Sequence, residues 1–264
     1  MKKKSLRQIL TTFAAICAIS LNSGCKTINK HMFEQANKDN TGVLCIGMET
    51  SRYGACPGAQ VDATRMHDLL KKYSNHTTLL LSQQATKAVV VQKMQEVCQK
   101  DLAIIFYSGH GGDQKQSAAT KLNYPEASGK DQFLCLYNGP MLDDEIWNVI
   151  CGAKGRVVLI FDCCHSSTMF RSPLNFSEKK VDEGLFGAGK EPKMWCVSGC
   201  PDNAYSYGGA DGGLLTNAIL GSFREEKTYN DLWNSLRRNY TLNQQEQVQF
   251  HEIGESFKDF LIFR

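Results

Sequence analysis

Apolar residues along the chain alternate between two textures. Short unbroken runs read as buried strands: "TGVLCIGM" (41–48), "TTLLLS" (77–82), "DLAIIFYSGHGG" (101–112), which ends in a Gly-rich turn, "RVVLIFDCCH" (156–165) and "MWCVSGC" (194–200). Between them, apolar residues recur at helical spacing. Segment 57–74 opens with Pro57 and sets Val61, Met66, Leu69, Leu70 and Tyr73 near one face. Segment 86–100 aligns Val90, Met94 and Val97. Segment 142–153 starts with acids that suit a helix dipole, and 212–223 and 229–240 also read as helices. Residues 132–141 look like a hairpin, and the tail from 247 holds one or two edge strands.

Strand and helix in alternation, with strands apolar throughout, predict an α/β fold with a mostly parallel sheet covered on both faces. Such sheets bind ligands at the carboxyl ends of their strands. Two strands here end in reactive side chains, one in "YSGHGG" and one in "DCCHSS". Residues 26–40 are polar and read as a tether, which puts the domain at 41–264. Residues 165–193 are long, polar and contain Pro173, Gly184, Gly187 and Gly189, the marks of an exposed loop open to nicking. There is no internal repeat.

The composition, 42% hydrophobic and 22% charged over 264 residues, is that of an ordinary globular chain. A net charge of +3 with scattered Lys and Arg gives no basis for a nucleic-acid partner. The N-terminus departs from this pattern. Lys2, Lys3, Lys4 and Arg7 precede an uncharged run from Ile9 to Leu21, the form of an export signal over residues 1–24. That run falls short of the ~20 residues that span a bilayer. "LNSGC" resembles the lipobox of bacterial lipoproteins, with Asn22 where that motif prefers Leu. The resemblance implies acylation of Cys25 and a lipid-anchored protein of the cell envelope; an ordinary secretory signal is the alternative.

The chain has eleven cysteines. With Cys17 in the signal and Cys25 lipidated, nine remain, an odd number that leaves at least one thiol unpaired within the chain. Most sit in apolar runs, where a thiol acts as a small hydrophobe, and no disulfide is assigned.

His110 and Cys164 follow the two strands that end in chemistry. If those strands are neighbours, the imidazole and the thiol meet at one sheet edge. A thiol attacks as its thiolate, which a nearby base produces, and a histidine can then protonate the leaving amine. The N–H groups of Gly111 and Cys164 are candidate oxyanion donors.

"YSGHGG", followed by "DCCHSS" with Cys164 54 residues beyond His110, resembles the caspase-like cysteine peptidases, and among them the metacaspases. "PGAQVDA", "LDDEIW" and "VSGCPDNAYS…GGLLTNAIL" are similar to further family segments, so the resemblance covers about residues 41–224. It implies a three-layer sandwich with helices on both faces of the sheet, and an endopeptidase acting on proteins or peptides, expected to be a monomer. By position it makes Cys164 the nucleophile and His110 the base. Cys163 fills a variable position and points to the other face of the strand end, and His165 shapes the turn. Ser167 stands where the family has Gly. Asp62, Ser108 and Asp162 match an acidic first-site pocket for Arg or Lys. The rival is an Asp-specific pocket, in which Arg52 of "TSRYG" would bind the acid. The family often uses calcium held by clustered aspartates. Asp143 and Asp144 match part of that set and Arg171 replaces a further acid, so no cofactor is required by the resemblance and the two acids also read as a helix cap.

Blander readings stand beside these. His31, His67, His76 and His251 read as structural. Cys163, Cys164, His110 and His165 are zinc-ligating types, but adjacent cysteines suit one tetrahedral ion poorly. A caspase-like scaffold without activity, or a structural lipoprotein, would have no use for the paired His and Cys. Lys179, Lys180 and Lys190 are candidate self-cleavage sites.

Overall fold

The computed structural model describes residues 38–117, 129–164, 166, 169, 192–200, 208–223, 228–240 and 248–254. In chain order, β1 (Thr41–Gly47) leads into a short hairpin of β2 (Thr50–Ser51) and β3 (Gly54–Ala55), then α1 (Ala59–Leu70), β4 (His76–Leu81) and α2 (Lys87–Cys98). Next come β5 (Leu102–Ser108), β6 (Gly111–Lys115), β7 (Lys130–Leu136), β8 (Gly139–Leu142), α3 (Asp143–Cys151) and β9 (Arg156–Asp162). The described part closes with β10 (Lys193–Ser198), β11 (Gly208–Gly209), β12 (Gly212–Gly213), α4 (Leu214–Ser222), α5 (Tyr229–Tyr240) and β13 (Gln249–Ile253).

The main sheet has six strands in the order β13-β10-β9-β5-β1-β4. The five strands from β10 to β4 run parallel, and β13 closes one edge antiparallel. Side chains alternate between faces along each strand, so the apolar runs feed two cores. Leu44, Ile46, Ile105, Leu159 and Phe161 face α2 and α3, meeting Val90, Met94, Ile146 and Ile150. Val43, Cys45, Ile104, Phe106 and Ile160 face the other way, meeting Met66 of α1, Ile219 of α4 and Leu232 and Leu236 of α5. This is the expected three-layer arrangement. It explains why the central strands read as unbroken apolar runs: neither face meets water.

Residues 38–40 form a turn tied to the domain: the N–H groups of Asn75 and Asp101 donate to the carbonyls of Lys38 and Asn40, both at 2.9 Å. These three residues of the expected tether thus pack with the domain. The run 101–112 is the expected buried strand ending in a Gly-rich turn. β5 ends at Ser108, the last residue with partners on both sides, Gly47 and Asp162. The chain then leaves the sheet, and Gly111 opens a three-stranded antiparallel ribbon, β6-β7-β8. Its β7–β8 hairpin is the one the sequence predicts. Among the described residues, no helix is long and apolar enough to cross a membrane. Cys25, residues 1–24, most of the tether, His165, Ser167, Arg171 and the three candidate cleavage lysines lie outside the described residues.

Candidate active site

β5 and β9 are neighbours in register, with Ser108 opposite Asp162 in their last row. Beyond that row one chain delivers Gly109, His110 and Gly111, and the other delivers Cys163 and Cys164. A cleft of about 400 Å3 opens at this edge. Its walls include His110, Cys164, Gly111, Asp62, Ser108 and Asp162, so all six candidates meet in one place. Ala55, Cys56, Pro57, Cys163 and Gly213 are also part of the lining.

His110 Nε2 lies 2.9 Å from the Ala55 carbonyl oxygen. A carbonyl only accepts, so Nε2 carries the hydrogen and donates it; in the neutral ring Nδ1 is left as acceptor. The main chain of His110 is held as well. Its carbonyl oxygen accepts from the buried Tyr107 hydroxyl at 2.7 Å and from the Cys135 N–H at 3.0 Å. The second bond ties the His110 main chain to β7, whose Cys135 carbonyl in turn accepts from the same Tyr107 hydroxyl at 3.1 Å. Gly111, opposite Leu134, is the first residue of β6 paired with β7.

The two adjacent cysteines part company. Cys163 is 1% exposed and belongs to the core beneath α2 and α3, where burial pushes its thiol well above the ordinary range. Cys164 is half-buried and lines the cleft. Gly111 sits directly against the Cys164 carbonyl, leaving no room for a Cβ. Cys56, to which the sequence reading gave no role, also lines the cleft, and burial raises its thiol to about 11 with the nearby Cys164 and Asp162 adding to the effect.

The acids form the floor. Asp62 is 1% exposed and belongs to α1, whose N-cap Gly58 takes a left-handed φ of 90° beneath Gly209 and Gly212. Asp62 Oδ2 accepts from the Ser108 hydroxyl at 2.8 Å and the Gly213 N–H at 2.9 Å. Its Oδ1 is buried with no hydrogen-bond partner among the described residues. Burial, reinforced by the charge of Asp162 and opposed by the donors of Gly213 and Ser108, pushes the Asp62 carboxyl up to about 6. Asp162 Oδ2 accepts both the N–H of Thr216 at 2.9 Å and its hydroxyl at 2.7 Å. Gly213 and Thr216 escaped the sequence reading as site residues. The available signal was the Gly-Gly pair at a helix start, which leaves space where two carboxylates approach.

Arg52 is not among the cleft-lining residues. It stands on the exposed β2–β3 hairpin, donating to the Tyr53 hydroxyl at 2.8 Å with its guanidinium 4.9 Å over that ring. The zinc reading finds no support among the described residues, where His110, Cys163 and Cys164 form no cluster of converging ligand atoms. Among the described residues, the one cluster of metal-ligating types is Asp131, Asp143 and Asp144, all buried, with ligand oxygens within 4.8 Å of one another. Asp131 on β7 is the member the sequence reading missed. Its Oδ1 accepts from Gln116 at 2.8 Å, while its Oδ2 is buried with no hydrogen-bond partner among the described residues. Three converging carboxylates are the donor chemistry of a hard cation such as calcium.

The caspase-domain profile of peptidase family C14 matches residues 43–260. Metacaspase-1 of Candida glabrata is 31% identical over 102 residues, covering 36% of this chain and 23% of that protein. Metacaspase-5 of Trypanosoma cruzi is 25% identical over 198 residues, covering 62% of this chain and 43% of its own length. The chain thus spans about a quarter to under half of the curated relatives it matches. The crystal structure of protein GSU0716 from Geobacter sulfurreducens superposes with a TM-score of 0.64 at 22% identity, covering 84% of this chain and 96% of that one, a likeness of fold. A family match over most of the chain, on a fold that carries the paired His and Cys to one cleft, places this protein in the caspase-domain family.

Proposed function

We propose that the protein is a cysteine endopeptidase that uses Cys164 as nucleophile and His110 as general base and acid, and cuts after Arg or Lys. The observation that carries this reading is the meeting of His110 and Cys164 at the ends of two register-paired strands in one cleft. The Ala55 carbonyl orients the imidazole so that Nδ1 is the nitrogen left to take a proton. In acylation the Cys164 thiol gives its proton to His110, and the sulfur forms a bond to the scissile carbonyl carbon. The resulting oxyanion is received by the N–H groups of Gly111 and Cys164. The C–N bond then breaks as His110 returns the proton to the leaving amine. Water, deprotonated by His110, attacks the thioester; the new acid departs and the thiol is restored.

The case for a basic residue before the cut rests on the acid floor. A guanidinium has five N–H donors in a planar fork, and Asp62 offers a buried, unmatched oxygen beside a second carboxylate. An acidic side chain would meet two like charges there, with Arg52 held on the hairpin outside the cleft. Asp131, Asp143 and Asp144 would hold a calcium ion, which would offset the mutual repulsion of three close carboxylates. The N-terminal segment is read as an export signal with lipidation at Cys25.

The test is hydrolysis of fluorogenic peptides ending in Arg, Lys or Asp, with and without calcium, by the protein and by Cys164→Ala. Cleavage after Arg or Lys that disappears in the variant is expected. Activity surviving in Cys164→Ala overturns the nucleophile. Cleavage after Asp overturns the pocket. A folded protein that cleaves nothing favours a scaffold.

A further inference from the structure

The two acids of the cleft floor come from different elements, α1 and β9, yet both are held from a third. Gly213, the N-cap of α4, donates its N–H to Asp62, and Thr216, three residues on, donates twice to Asp162. Both Thr216 bonds end on one oxygen, Oδ2, at 2.9 and 2.7 Å, and Thr216 is itself 0% exposed. Gly213 makes room for this arrangement: a Cβ there would come within 2.8 Å of Asp162 Oδ1 and 2.7 Å of its Cγ. The first turn of a helix carries N–H groups with no partner inside the helix, and its dipole favours a negative charge in front of it. Asp162 occupies that place.

We propose that Thr216 is a specificity-determining positioning residue: by fixing Asp162 through one carboxylate edge, it presets the acid pair for a guanidinium or ammonium side chain, an inference that rests on the basic-pocket reading above. A carboxylate already fixed gives up little rotamer freedom when a cation arrives, so the held geometry appears in binding and not in the chemical step. The backbone N–H of Thr216 survives any substitution. The hydroxyl is the separable half, and a side chain of the same shape without it leaves Asp162 one donor short in a buried setting. The competing account is that Asp162 merely caps α4, in which case the hydroxyl matters to the helix and not to the ligand.

The experiment compares the full protein with Thr216→Val and Thr216→Ser. KM and kcat are measured on Arg and Lys peptides, Tm is measured for each protein, and binding is measured for agmatine, a guanidinium amine with no scissile bond. Thr216→Val is expected to weaken agmatine binding and raise KM about tenfold with kcat within about twofold, the effect of losing one hydrogen bond to a charged group. Thr216→Ser, which keeps the hydroxyl, is expected to stay within about twofold of the parent on every measure. Equal losses in Val and Ser, a fall in kcat at constant KM, or a lowered Tm with unchanged agmatine affinity each overturn the inference. A parent protein that neither cuts after basic residues nor binds agmatine overturns the pocket reading itself, and with it the role of Thr216. Agmatine binding that is insensitive to the Val change leaves the pocket standing and removes Thr216 alone.

Discussion

Gly111 lies against the carbonyl oxygen of Cys164 with no space for a methyl group between them. The loops that carry His110 and Cys164 are therefore in close main-chain contact, and the lack of a side chain at 111 sets their spacing. Gly111→Ala is expected to push the Cys164 turn outward. A displacement near 1 Å lowers turnover by about 100-fold. Peptide hydrolysis, with Tm measured alongside, checks this; a well-folded variant of near-parental kcat would show that the contact does not set the reacting distance.

Asp62→Asn tests the acid floor and its titration together. The Asp62 carboxyl titrates near 6, raised chiefly by burial. Above that pH the floor carries the Asp62 charge; as pH falls through 6 the charge is lost. KM for an Arg peptide should therefore rise on the acid side of 6, and Asp62→Asn should raise KM about tenfold at pH 7.5 and flatten this rise. The stability effect has the opposite sign. A carboxyl with a raised folded-state pKa binds its proton more tightly when folded, so this group stabilises the fold as pH drops from 6 toward its unfolded value of 3.8. The neutral amide should leave Tm at pH 7.5 unchanged or higher. A Tm loss of many degrees would assign Asp62 a structural role instead.

The cluster of Asp131, Asp143 and Asp144 predicts a calcium-dependent Tm. A ligand that binds only the folded state raises stability with its concentration. Calcium is expected to raise Tm in the parent, magnesium to do so less, and Asp131→Asn to abolish most of the rise. A Tm indifferent to millimolar calcium in all proteins would make the cluster a helix cap with an acidic neighbour.

Much of this was legible in the chain. Uninterrupted apolar runs gave the double-covered sheet, because a strand buried on both faces has no polar alternation to show. His110 and Cys164 were legible because each directly follows such a run. Asp131 was not: it starts a strand, twelve positions before Asp143, and only the β7–β8 hairpin folds it back onto α3. Thr216 and Gly213 were hidden for a related reason. Their roles are hydrogen bonds to acids 54 and 151 positions away, and no local pattern encodes a partner at that distance. The close approach of Gly111 to Cys164 was hidden as well, because it is a tertiary fact.

Lipidation has its own test. Cys25→Ser should move the protein from the detergent phase to the aqueous phase and stop incorporation of labelled palmitate. Equal partitioning of both forms would leave an ordinary secretory signal.

The partner that orients His110 is a peptide oxygen, that of Ala55, and every amino acid carries one. Replacing Ala55 by Ser or Leu should thus leave turnover almost untouched, whereas excising the β2–β3 hairpin that presents it should not. Point mutation cannot easily disarm this part of the machinery, and a search for a third catalytic side chain would pass it by. Drift at position 55 is invisible to the chemistry so long as the hairpin keeps its shape. What evolution must guard there is a contour of the chain and not a letter of the sequence.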